Sequence, residues 1–185
     1  LNSDRYEAPC WLRNAPEGLH PRDILSCKNG LYHIPTRALY KANPDFFTHI
    51  SVDYEVDPKA DCPEWKKFIY SIFPKDQKRQ QLLQEIIGYL LSRGHTFHKI
   101  FLFIGKQRAG KGLIKHIIEA LLGPKNCSSP RGNSIAGEFG LEPAINKSSL
   151  LFADMRLSAE KKEPFAEAML TISAGDAIDV PRKYK

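Results

Sequence analysis

The sequence predicts an α/β fold in which helices cover a parallel sheet, and three observations predict it. Residues 99–104 (Lys-Ile-Phe-Leu-Phe-Ile) and 149–153 (Ser-Leu-Leu-Phe-Ala) are short, continuous apolar runs, the pattern of strands buried on both faces. A glycine-containing loop follows the first run at once. A stretch with helical spacing lies between the loop and the second run, and strand–loop–helix–strand order calls for a parallel pair joined by a crossover.

Residues 1–62 are rich in Pro, Asn, Asp and aromatics and read as an irregular or β-rich segment. Within it Lys28-Asn29-Gly30 marks a hairpin turn ahead of Leu31-Tyr32-His33-Ile34, and residues 50–56 alternate as a half-exposed strand would. A helical module spans residues 63–95. Asp61 is the expected cap of its first helix, with Pro63 in the first turn. Trp65, Phe68, Ile69 and Ile72 form the apolar stripe, and Pro74 is the stop. A second helix is expected over 76–92, striped by Leu82, Leu83, Ile86, Ile87 and Leu90 and ended by Gly94. Residues 96–185 form the main α/β domain. Its first helix carries Leu113, Ile114, Ile117, Ile118, Leu121 and Leu122 and closes at Gly123-Pro124. A last helix is expected over 159–173.

Bulk properties limit the function classes. The chain has 185 residues and ordinary globular composition, with 42% hydrophobic and 26% charged residues. No apolar run approaches the ~20 residues a spanning helix needs. The chain opens on Leu1 rather than Met, so its start is expected to be missing or processed. Cys10, Cys27, Cys62 and Cys127 include no closely spaced pair of the zinc-ribbon kind, and read as reduced thiols of a cytoplasmic protein. The net charge is +6, and residues 99–131 hold seven basic side chains against one acid, Glu119. Such a cluster suits a polyanion.

The loop gives that cluster a purpose. Gly105, Lys106, Gln107, Arg108, Ala109, Gly110 and Lys111 fit G-x-x-x-x-G-K, and Gly112 and Leu113 continue into the helix. Glycines let backbone amides approach phosphate oxygens without side-chain bulk. A helix that starts there aims free N–H groups and its positive dipole end at the anion. Lys111 is the point charge for the β- and γ-phosphates. The pattern departs from the common one at Gly112, where Ser or Thr would hold Mg²⁺. Asp154, at the carboxyl end of the second apolar run, is the candidate metal ligand, acting through water. The next residues are Met155 and Arg156, so the water-activating base is unassigned. Glu160 is near in sequence but unplaced.

Several pieces together resemble a known family. Cys27-Lys28-Asn29-Gly30-Leu31, Asp61-Cys62-Pro63-Glu64-Trp65 through Phe68, and Leu83-Gln84-Glu85-Ile86-Ile87-Gly88-Tyr89 resemble the module ahead of the helicase domain in phage, plasmid and poxvirus primase–helicases. Residues 105–112 and 150–154 resemble their first and second ATP motifs. Residues 170–178, with Gly175-Asp176 and then Arg182-Lys183-Tyr184-Lys185, resemble the motif that marks superfamily 3 helicases. The resemblance implies an AAA+-like P-loop ATPase that uses ATP and Mg²⁺. It implies assembly as a ring, usually a hexamer, threading single-stranded DNA, with a primase domain or partner nearby, in the cytoplasm of a bacterial host or encoded by a phage or mobile element. Arg182, Lys183, Tyr184 and Lys185 would then touch DNA. The family's sensor Asn and arginine finger would lie past Lys185, so the chain is expected to be a fragment with an incomplete sheet that binds nucleotide yet hydrolyses it poorly. Two other readings compete. One is a small-molecule P-loop kinase, since Lys111-Gly112 resembles the G-K-G of nucleotide kinases. The other is a non-hydrolysing, nucleotide-gated DNA-binding or assembly module. His95, His98, the Glu163/Glu167 pair, Trp11 and Trp65 read as surface or packing residues.

Overall fold

The computed structural model describes residues 8–92, 97–153 and 155–183. The chain divides into two compact units, Leu1–Arg93 and Gly94–Lys185.

In the first unit, β1 (Cys10–Trp11) pairs antiparallel with β5 (Phe46–Phe47), while β2 (Ile24–Cys27), β3 (Gly30–His33) and β4 (Ala38–Tyr40) form an antiparallel meander. Lys28 and Asn29 make the two-residue connection of the β2–β3 hairpin, with Cys27 opposite Gly30. Gly30 has φ +144°, and a Cβ there would lie 2.1 Å from the Tyr40 carbonyl oxygen. The close approach of β4 therefore admits only glycine. The register sets Ile24 opposite His33 and Ser26 opposite Leu31, so period-2 alternation puts Ile24 and Leu31 on one face. They bury with Phe46, and Trp11 and Leu19 pack against them. The Trp11 ring lies 5.0 Å from that of Phe46, and its indole N–H donates to the Leu19 carbonyl at 2.9 Å. Trp11 is thus a packing anchor with its polar end satisfied.

Residues 50–56 differ from expectation in one respect. Their burial alternates, with Val52 only 3% exposed, but they join no ladder. The Val52 N–H donates to Ser26 (2.9 Å) and the Lys28 N–H to Tyr54 (3.0 Å). A side chain completes the seam: Asn29 accepts from the Val56 N–H and donates to the Val56 carbonyl, both at 3.0 Å. One amide side chain replaces a rung of backbone pairing.

The N-cap residue of helix α1 (Pro63–Ile72) is Cys62, not Asp61. The Asp61 carboxylate instead accepts from the Cys62 N–H at 2.8 Å and from the Lys66 ammonium, a position one residue too early to reach the orphan amides of the first turn. Helix α2 (Gln77–Leu91) is capped by Asp76, whose carboxylate accepts from the Arg79 N–H at 3.1 Å. It ends at Leu91 with Ser92 as its C-cap residue, in keeping with the expected span 76–92, and Gly94 lies outside the described residues. Of the expected stripes, Ile69, Leu83 and Ile87 are buried, whereas Leu82 is 53% exposed.

In the second unit, α3 (Lys111–Leu122) buries Ile114, Ile118 and Leu122, four residues apart on one face. Gly123 closes it at φ +85°. A single turn of 3₁₀ helix, Pro124–Asn126, leads into β6 (Cys127–Ser128), which pairs in parallel with β7 (Ser149–Leu150). Helix α4 (Gly132–Ile135) follows β6, and α5 (Lys162–Ala174) follows a 3₁₀ turn at Ala159–Lys161. Gly175 ends α5 in the left-handed region, its N–H bonded to Ile172 and that of Asp176 to Thr171; this is a Schellman close. Phe165 is buried and meets Phe152 edge-on at 5.5 Å.

Two strand expectations need correction. The second apolar run forms a strand only at Ser149–Leu150, and its partner β6 was not anticipated. Residues 99–104 join no ladder, and Ile100, Leu102 and Ile104 are 56%, 70% and 86% exposed. A strand is buried on both faces only when neighbours bond to its edges and helices cover it. Among the described residues β6 and β7 pair with each other, and neither takes residues 99–104 as a partner.

Candidate functional site

The loop at residues 105–112 connects the exposed apolar segment to α3. Gln107 and Arg108 form its turn, with Arg108 at φ +59°. A non-glycine residue there costs about 1–2 kcal/mol. Gly110, at φ +83°, is the N-cap of α3, and its carbonyl accepts the first helical bond from the Ile114 N–H at 3.0 Å. The left-handed cap reverses the chain so that the helix starts at Lys111.

The Lys111 ammonium folds back over the loop. It donates to the Gly105 carbonyl at 2.8 Å and to the Lys106 carbonyl at 2.7 Å. A side chain on the first turn of the helix thus draws the start of the loop towards the helix N-terminus. Lys106, Arg108 and Lys111 put three cations into seven residues that contain no acid. Residues 102–109 are exposed to solvent. An exposed ring of backbone with a helix N-terminus and concentrated positive charge is suited to a polyanionic ligand.

Gly112 lies on the first turn of α3, and a Cβ built on it would meet nothing within 4 Å; its lack of a side chain is not imposed by packing. Leu113 is 47% exposed. Asp154, Tyr184, Lys185 and His95 lie outside the described residues. Arg182 and Lys183 are exposed, and the Lys183 ammonium sits 5.5 Å from the centre of the Phe139 ring. That cation–π contact ties the start of the basic tail to the segment after α4. Glu160, Glu163 and Glu167 are solvent-exposed. A hydrogen bond from the Ser158 side chain holds the Glu160 carboxyl below its usual range, helped by its own backbone N–H, so it is not a group tuned to take up a proton near neutrality.

A metal finds little in this arrangement. No group of three or more His, Cys, Asp or Glu capable of holding an ion occurs among the described residues. The loop itself offers only the Gln107 amide oxygen besides backbone carbonyls. The described side chains of the loop therefore do not fit a magnesium site of the usual hydroxyl-bearing kind.

Sequence reasoning missed the supports behind α3. Asn126 is buried, and its side-chain N–H donates to the Leu122 carbonyl at the end of α3 at 2.7 Å. Its own carbonyl accepts from the Ser148 N–H at 2.8 Å and the Ser148 hydroxyl at 3.1 Å. Lys115 and Glu119 form a half-buried pair one turn apart at 3.2 Å. A buried amide has no periodicity to announce it; the Gly-Pro break just before Asn126 was the available signal.

With this geometry in view, comparison with known proteins bears on the first unit. Residues 8–74 match the family model described as D5 N terminal like. The match links that segment to proteins of the primase–helicase type. It covers β1 to β5 and α1 and stops short of the loop at residue 105. No curated protein matches the chain.

Proposed function

We propose that the second unit binds ATP on residues 105–113 and that the chain is part of the ATP-driven helicase portion of a primase–helicase. The observation that carries this reading is the Lys111 ammonium drawn onto the Gly105 and Lys106 carbonyls at the helix N-terminus. A triphosphate that displaced those carbonyls would take up the same ammonium and the amides behind it. The match of residues 8–74 supports the replicative setting.

In this reading Lys111 holds the β- and γ-phosphates, and Mg²⁺ accompanies the nucleotide with Asp154 as its one assigned side chain, through water. The protein works as a ring, with a hexamer as the expected state, on single-stranded DNA in the cytoplasm of a bacterial host, alongside a primase domain or partner. Arg182, Lys183, Tyr184 and Lys185 meet DNA through charge and one aromatic face.

The test is mass determination of the 185-residue chain with and without ATP and single-stranded DNA, beside Lys111→Ala. We expect ATP to promote assembly and DNA binding in the parent chain, and Lys111→Ala to abolish both responses while a thermal melt shows the chain still folded. Assembly and DNA binding indifferent to ATP and to Lys111 would remove the motor reading. Gly112 favours a second reading, a nucleotide-gated assembly module without hydrolysis. Nucleotide-dependent assembly with no phosphate release would select it.

A further inference from the structure

The loop lacks the side chain through which such sites usually engage a metal, yet it has room for one. Gly112 has ordinary helical surroundings, and an added Cβ would touch nothing within 4 Å. Packing therefore does not explain the glycine, and a glycine near a helix start is no better for the helix than serine. At the same time the loop carries Arg108 in a strained left-handed conformation, φ +59°, where glycine or asparagine would sit without cost. Strain retained at an exposed turn beside a candidate site points to a use for that side chain. Lys106, Arg108 and Lys111 belong to the loop, with no acid among them.

Resting on the nucleotide reading above, we infer that the loop holds the triphosphate chiefly through its own cations, whether or not Mg²⁺ accompanies it, with Arg108 supplying charge that a bridging metal supplies elsewhere. Nucleotide affinity is then nearly independent of Mg²⁺. Positive charge fixed in the protein compensates the full charge of a metal-free triphosphate. Gly112 is the other half of the same arrangement, because it withholds the hydroxyl that would favour the metal complex.

The experiment is equilibrium binding of ATP to the 185-residue chain in excess Mg²⁺ and in excess EDTA, repeated on Arg108→Gly, Gly112→Ser and Lys111→Ala. Arg108→Gly relieves the backbone strain as it removes the charge, so a thermal melt should show the fold intact. We expect parent-chain affinities in the two buffers to agree within about threefold. Arg108→Gly should weaken binding about tenfold in EDTA and less in Mg²⁺. Gly112→Ser should make binding roughly tenfold or more tighter in Mg²⁺ than in EDTA. Parent-chain binding weakened about tenfold or more by EDTA would overturn the inference while leaving the nucleotide site standing. Unchanged affinity of Arg108→Gly in EDTA would overturn the assignment of Arg108. Absence of ATP binding in both buffers, with Lys111→Ala the same as the parent, would remove the nucleotide reading and the inference with it.

Discussion

Asn126 joins the end of α3 to the start of β7, since its side chain bonds the Leu122 carbonyl and its backbone accepts twice from Ser148. Replacing it by alanine leaves the Leu122 carbonyl without that donor in a buried place. We expect Asn126→Ala to cost about 1–3 kcal/mol, read as a lower urea midpoint with an unchanged slope. The neighbouring Cys127 is buried, and burial pushes its thiol pKa up, with Glu119 adding to the rise and Lys115 and Lys147 opposing it. Cys62 is exposed. Iodoacetamide at mildly alkaline pH should therefore label Cys62 well before Cys127. A group whose folded pKa is raised contributes stability that is whole below its unfolded pKa and is lost as pH rises through the folded value. The Cys127 contribution should thus fade only above roughly pH 8.5, and Cys127→Ser should flatten that limb of a pH–stability curve.

Elements divide sharply by how far the sequence announced them. Helices α1, α2 and α3 were legible because ten or more residues repeat an apolar stripe at the helical period and carry stop signals, and α5, expected over 159–173, forms at Lys162–Ala174. Apart from the β2–β3 hairpin, whose Asn-Gly turn announced it, the strands were not legible. Two-residue strands such as β6 and β7 are too short to show any periodicity, and their pairing depends on neighbours far along the chain. The loop was legible because its spacing encodes backbone geometry, and Gly110 at φ +83° occupies its left-handed turn. The fold of the loop onto Lys111 could not be read, since it involves carbonyls, which every residue has. One glycine that packs the second unit also escaped notice. A Cβ on Gly140 would stand 2.0 Å from the Ser134 carbonyl oxygen and 2.6 Å from that of Ile135. Gly140→Ala should cost about 2 kcal/mol or more through forced backbone movement. Gly112→Ala, with open space around it, should leave stability unchanged or raise it by up to ~1 kcal/mol. Opposite signs for these two changes in thermal melts would check the packing of α3 and α4 separately.

For the molecule as a whole, charge and apolar exposure set behaviour in solution. The basic excess lies around the loop and α3, so any single-stranded DNA binding should weaken steeply with salt, the logarithm of affinity falling with a slope of roughly −0.7 per phosphate neutralised. Lys183 is partly engaged by Phe139, so Phe139→Ala should change DNA affinity less than Arg182→Ala does in a salt titration. The exposed run at residues 99–104 is the main association hazard, with Ile104 at 86% and Leu102 at 70%. Ile104→Lys should reduce light scattering on concentration without lowering the melting temperature. No helix among the described residues is long and apolar enough to cross a membrane.

The amide of Asn29 has a chemical fate as well as a structural role. An asparagine followed by glycine is the sequence most open to deamidation, because the next backbone nitrogen can attack the side-chain carbonyl with little hindrance. Here both ends of that amide are engaged by Val56, and the group must leave Val56 before it can cyclise. The reaction should therefore be slow in the folded hairpin and fast in urea. Once it occurs, the aspartate has lost the N–H that met the Val56 carbonyl and sets a negative charge beside it. Each molecule in which the seam has opened for long enough would keep that record permanently, so the deamidated fraction of an aged sample measures how often β2 and the strand-like segment beside it have come apart.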